Sequence, residues 1–178
     1  MNPDASTPTP LETRDWTFVV RQPCAECGFN PARLRSADVP RRILTTIDPW
    51  SAVLARPALT ARPTQGVWSP LEYACHVRDV CGTFTARLAL ILASAGDAQF
   101  ADWDQNSAQV EGRYNDSDPA AVAAQYRAAA TTLANKFAGV LGTQWDLEGR
   151  RGDGAVFTTR TLAAYLVHDL EHHLVDIG

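Results

Sequence analysis

Lysine is nearly missing from this chain: Lys136 stands alone against fifteen arginines. The arginines are scattered among the acids, the net charge is −4, and no basic stripe forms anywhere. Without such a stripe there is no electrostatic footprint for a phosphate backbone, which argues against nucleic acid as a main partner. Long apolar runs are lacking too. The longest, "LALILASAG", falls far short of the ~20 residues that cross a bilayer, so no membrane partner is expected. The opening "MNPDASTPTPLETRDW" has no basic stretch followed by an apolar core, the pattern of a secretory leader. The expected location is therefore cytoplasmic, where cysteines stay reduced. There are only four cysteines, and a core does not need them as bridges: a chain of 178 residues buries roughly 70% of its unfolded surface.

What is present reads as helix. The first dozen residues are rich in Pro, Ser and Thr and are expected to be mobile. "RDWTFVVRQP" reads as a short extended piece, and "CAECGFNPARL" as a loop with a CxxC. A first helix is expected from near Asp38, with Ile43, Ile47, Trp50 and Leu54 at helical spacing and a kink or break at Pro49. "WSPLE" opens the second: Ser69 caps it, Pro70 is its first residue, and Glu72 completes a capping box. This helix should run to about Ala95. A long polar connection, "AGDAQFADWDQNSAQVEGRYNDSD", follows it; such lengths are usually functional or disordered. The third helix opens at Asp118-Pro119, and Gly152-Asp153-Gly154 marks a hairpin turn before a fourth helix that starts near Thr158 or Thr159. The expected architecture is an all-α four-helix bundle in a single domain, residues 1–178. It has a long connection between its second and third helices, and residues 1–36 form an N-terminal extension carrying the CxxC loop.

Histidine is scarce as well, and its placement is informative. Three of the four lie in "LVHDLEHHLVDIG", Leu166 to Gly178. A helix turns 100° per residue, so His168 and His172 share a face one turn apart, as paired zinc ligands do. His173 is rotated away from that pair. The remaining histidine, His76, lies two turns into the second helix. Facing helices of a bundle contribute inward side chains to shared sites. The expected metal site is thus His76, His168 and His172, three imidazoles with an open position, the form of a catalytic centre. A helical histidine pair by itself is more often an accident of surface or core. Asp169 and Glu171 read as solvated charges on the same helix.

"VWSPLEYACHVRDV" together with "HDLEHHLVDI" resembles the DinB-like family of metal-binding four-helix bundles, with Trp68, His76, His168 and His172 at the family's positions. "CAECGF" and "FADWDQN" are similar to an actinobacterial branch related to mycothiol-dependent S-transferases. The resemblance runs from about Thr13 to Ile177. It implies a divalent ion, zinc first and nickel as the alternative, on the three histidines. It also implies transfer chemistry with a low-molecular-weight thiol such as mycothiol or bacillithiol. The physical chemistry agrees: a bound dication lets a thiol ionise well below its free value of roughly 8.5. The same ion also activates water, so a metal-dependent hydrolase is the rival enzyme. A non-catalytic metal or small-molecule binding or stress-sensing protein is the third reading. No side chain is assigned as catalytic; the nucleophile is the activated thiol or water.

Other residues carry weaker signals. Cys24 and Cys27 are open as a redox pair, half of a metal site, or an ordinary turn. Cys75 reads as a small core residue. Glu72 is a candidate to orient a histidine from behind. Trp103, Asp104 and Gln105 would line a lid if the long connection folds over the bundle, and Arg78 and Arg113 are candidates for a cosubstrate carboxylate. The partners expected are a small-molecule thiol and an electrophilic substrate, with a homodimer left open.

Overall fold

The computed structural model describes residues 14–178. The mobility expected of the first dozen residues lies outside them. The helices are α1 (Val39–Thr45), α2 (Ile47–Leu54), α3 (Pro70–Ala93), α4 (Gln105–Glu111), α5 (Pro119–Ala138) and α6 (Thr159–Asp176). The consecutive α1 and α2 act as one broken rod, which with α3, α5 and α6 makes the four-helix bundle. The break falls at Thr46 rather than at Pro49 itself. The reason is steric: a proline ring excludes the carbonyl four residues earlier, here that of Thr45.

The other helix ends follow their caps. Ser69 accepts from the Glu72 N–H while the Glu72 carboxylate accepts from the Ser69 N–H at 2.8 Å, so α3 starts where the capping box places it. Asp118 caps α5 through the N–H groups of Ala120 and Ala121, with Pro119 in the first turn. Thr158 caps α6. Large apolar side chains fill the centre: Trp50 of α2, Leu88 and Ile91 of α3, Leu133 and Phe137 of α5, and Leu162, Leu166 and Leu170 of α6. Burial of each such side chain contributes on the order of 1.5–3 kcal/mol. The Tyr126 hydroxyl enters this core and is satisfied by Thr46 Oγ1 at 2.6 Å.

A small sheet accompanies the bundle. Strand β1 (Ala98–Phe100) pairs in parallel with β2 (Glu148–Arg151), and β2 pairs antiparallel with β3 (Val156–Thr158). The turn expected at residues 152–154 joins β2 to β3, with Gly154 at φ +93°. β3 leads directly into α6. The sheet ties the start of the long connection to the foot of α6. Gly149 of β2 lies so close to α3 that a Cβ there would meet Ile91 Cγ1 and the Phe100 ring at 2.7 Å.

The N-terminal piece is not extended. Trp16–Val20 forms a 3₁₀ turn because the Asp15 carboxylate accepts from the Thr17 N–H at 2.8 Å. It packs on α6. The CxxC loop follows, turned by Gly28 at φ +75°, and buries Cys24 and Phe29 in the core.

Candidate metal centre

Two ladders run along the last two turns of α6. His168 and His172 form one; Asp169 and His173, also four apart, form the other, rotated by 100°. Because α3 packs on α6, one ladder faces His76. It is the Asp169–His173 ladder. His76 Nε2 lies 3.3 Å from Asp169 Oδ1, and His173 Nε2 lies 3.6 Å from the same oxygen. One ligand atom from each of His76, Asp169 and His173 falls within 4.8 Å of the others. Ligands at 2.0–2.1 Å from a tetrahedral zinc stand about 3.3 Å apart, so the spacing suits one ion.

Both ring nitrogens of His76 and Asp169 Oδ1 are buried without a hydrogen-bond partner. The 3.3 Å approach between them is electrostatic and not aligned as a hydrogen bond. Orphaned polar atoms of this kind are rare in a core and call for a partner; a divalent cation would satisfy His76 Nε2 and Asp169 Oδ1 together. Burial lowers the pKa of His76, which favours the neutral, ligating form. His173 has its far side held: its Nδ1 is 2.7 Å from Asp176 Oδ2. Burial works against a charge on His173, but that hydrogen bond and the charges of Asp169 and Asp176 carry its pKa upward. Such a carboxylate behind an imidazole fixes the tautomer, leaving Nε2 free for an ion. Burial also opposes ionisation of Asp169, yet His76, with His173 and His168, holds its carboxyl below the usual range.

The structure does not bring His76, His168 and His172 into one ligand set. His168 and His172 face the N-terminal segment instead, where they lie within 4.8 Å of Cys24 and Cys27 in a second set. Cys24 Sγ is 3.7 Å from His172 Nδ1. Burial lowers the pKa of His168 to about 4 and raises that of the Cys27 thiol to about 11. Helical spacing correctly pairs residues within each ladder but does not say which ladder points at α3. The donor group around His76 contains His173 and Asp169, which the sequence reading set apart from the histidine pair. The legible signal was Asp-x-x-x-His, the same spacing with a carboxylate in place of the first imidazole.

Both sets border one cavity of about 1050 Å³ at the end of the bundle. Trp103, from the connection after β1, stacks on His76 at 5.5 Å and 9°, and Trp68 approaches it at 5.2 Å.

In the sequence comparison, residues 42–177 match the family model described as the DinB superfamily. The chain belongs to the DinB superfamily. Its fold is similar to that of YfiT from Bacillus subtilis, described as "a probable metal-dependent hydrolase with an unusual four-helix bundle topology". The TM-score is 0.66 at 14% identity, over 95% of this chain and 90% of that one. At that identity the likeness is one of fold. No curated protein matches the sequence.

The other expected residues of this DinB-superfamily chain divide between the cavity and elsewhere. Trp103, Asp104 and Gln105 line it. Asp104 also caps α4, accepting from the N–H groups of Asn106 and Ser107. Glu72 does not support a histidine: its buried carboxylate accepts from Ser69 N, from Arg62 Nε at 2.9 Å and from Gln109 Nε2 at 2.8 Å. These bonds moor the segments around Arg62 and α4 to the head of α3. Arg78 is bound to Asp79 and Gln125, and Arg113 to Asp116, so neither is aimed into the cavity. Arg14 and Arg151 line it in their place. Glu171 is not a free surface charge but forks with Arg42 of α1. Cys75 is buried, as a core residue should be. Sequence reading missed Tyr165, whose burial raises its pKa to about 12, so it faces the cavity as a neutral hydroxyl.

Proposed function

We propose that this protein is a metal-dependent thiol S-transferase, with His76, Asp169 and His173 holding a divalent ion, zinc or nickel. The observation that carries the reading is the convergence of two imidazoles and one carboxylate, Asp169 and His173 lining a large cavity and His76 buried beside them, with the His76 nitrogens and Asp169 Oδ1 unpartnered. Two neutral imidazoles and one carboxylate leave a dication with net positive charge and room for a further ligand. Bound there, such an ion supplies acidity: a thiol beside it ionises near neutral pH.

The protein's own groups prepare the site. Asp176 orients His173. Trp68 and Trp103 cover His76 and keep bulk water from it, which strengthens every charge interaction at that end. Tyr165 offers a neutral O–H to the substrate, and Arg14, paired with Glu26, and Arg151, paired with Asp153, complete the polar wall. A cavity of about 1050 Å³ lies at the upper end of the roughly 300–1,000 Å³ usual for small-molecule sites, which suits a thiol cosubstrate together with an electrophile. Its walls mix acids and arginines with aromatic rings, which suits a polar thiol such as mycothiol.

The second reading is a metal-dependent hydrolase. It is favoured by the donor set, since two histidines and one carboxylate also serve zinc peptidases, and by the description given to YfiT. Metal-loaded protein is to be offered electrophiles with mycothiol, bacillithiol or glutathione, and separately esters and amides without thiol. The transferase reading expects a thiol conjugate that requires the metal. Ester or amide turnover without thiol, and no conjugate, would replace it with the hydrolase. Tight binding of thiols with no product in either assay would make the protein a binding module.

A further inference from the structure

The second donor set is separate from the open one and is built differently. The geometry points to a closed, structural zinc site on Cys24, Cys27, His168 and His172 that fastens the N-terminal segment to α6. The four donors lie within 4.8 Å of one another and come from two short spacings, CxxC and HxxxH, which are those of four-coordinate Cys₂His₂ zinc. Zinc bonds of 2.3 Å to sulfur and about 2.05 Å to nitrogen would separate the two donors by about 3.6 Å. The observed separation of Cys24 Sγ and His172 Nδ1 is 3.7 Å. His168 Nε2 is buried and has no hydrogen-bond partner.

The surroundings suit a closed site. Cys24, His168 and His172 are at most 4% exposed. Trp16 approaches both histidine rings, at 5.5 and 4.8 Å, and Phe29 approaches His168 at 5.5 Å. The far nitrogen of His172, Nε2, faces Asp176 Oδ1 at 3.5 Å and Glu26 Oε2 at 3.6 Å, the carboxylate support that orients a ligating imidazole. The loop has the shape that two cysteine ligands need. The Gly28 N–H closes a turn on the Cys24 carbonyl at 3.0 Å, and the positive φ of Gly28 turns the chain just after the second cysteine. Four protein ligands leave no position for substrate, so this ion is structural. Its place beside the open centre explains why α6 carries two i, i+4 ladders: one faces His76 of α3 and the other the CxxC loop.

The inference stands apart from the transferase reading, because it concerns ligation and not turnover. The test uses the full chain loaded with cobalt, which reports thiolate ligation through a sulfur-to-metal charge-transfer band in the near ultraviolet. The inference expects that band in wild-type protein. It expects Cys24→Ser and Cys27→Ser each to abolish the band and remove one metal equivalent, and Asp169→Asn to leave the band at full strength. X-ray absorption on wild-type zinc protein needs no variant to fold and should show mixed sulfur and nitrogen ligation. A chain that binds a single equivalent with sulfur ligation would still satisfy this inference while removing the open centre. Metal-replete protein without any sulfur ligation, or with Cys24 and Cys27 joined as a disulfide, would overturn it.

Discussion

At the residue scale, the decisive question is which face of α6 each histidine occupies. His172 and His173 are neighbours in sequence but belong to different donor sets, with Cys24 and with His76 respectively. Both should therefore cost metal when removed, but not the same metal. His173→Ala is expected to lose the ion of the open centre and keep the sulfur-ligated one; His172→Ala is expected to do the reverse. Elemental analysis combined with the cobalt spectrum distinguishes them, and equal loss of both ions in both variants would contradict the assignment. Asp176 touches both imidazoles, at 2.7 Å from His173 and 3.5 Å from His172. Asp176→Asn should keep the fold and weaken metal affinity by roughly 10- to 100-fold, the usual effect of losing a supporting carboxylate. A competition titration with a chelating indicator measures it. Unchanged affinity would mean that Asp176 orients neither ring.

Among the elements, helix starts were readable from sequence because caps are local chemistry: Ser69-Pro70 with Glu72, Asp118-Pro119 and Thr158 each fix an end through groups within three residues. The sheet was not readable. β1 is three residues long, too short to show alternation, and its partner β2 lies some fifty residues further on. The histidines and the i, i+4 ladder were legible, but the rotation of α6 about its own axis was not, since it is set by packing against α3 and the N-terminal turn. Glu72 was legible as a cap but not as the centre of a buried network. Glu72→Ala removes a buried carboxylate that binds Arg62, Gln109 and the Ser69 N–H, and should cost about 3–5 kcal/mol in denaturant unfolding. Metal affinity of the folded fraction should be unchanged; a selective loss of metal would restore Glu72 to a supporting role. At Gly149, alanine has no room between Ile91 and Phe100, and about 1–3 kcal/mol of destabilisation is expected from the same measurement. A neutral Gly149→Ala would mean that the sheet is not pressed against α3.

For the whole molecule, the bundle serves as a rigid frame that brings α3 and α6 together at one end, and the irregular segments gather at that end. The connection from β1 to α4 supplies Trp103 over His76, and the N-terminal segment supplies Trp16 against His168 and His172. If a structural ion fastens that segment, chelation should lower the melting temperature of wild-type protein more than that of Cys24→Ser, because the variant has already lost the fastening. Calorimetry with and without chelator checks this, and equal shifts would contradict it. Everything said of the chemistry depends on the open centre being His76, Asp169 and His173. An anomalous difference map from zinc-loaded crystals, collected on both sides of the metal edge, reads that ligand set without an intermediary. The expected result is a peak bonded to His76, Asp169 and His173, distinct from any density among Cys24, Cys27, His168 and His172. A single peak shared by His76, His168 and His172 would refute the assignment.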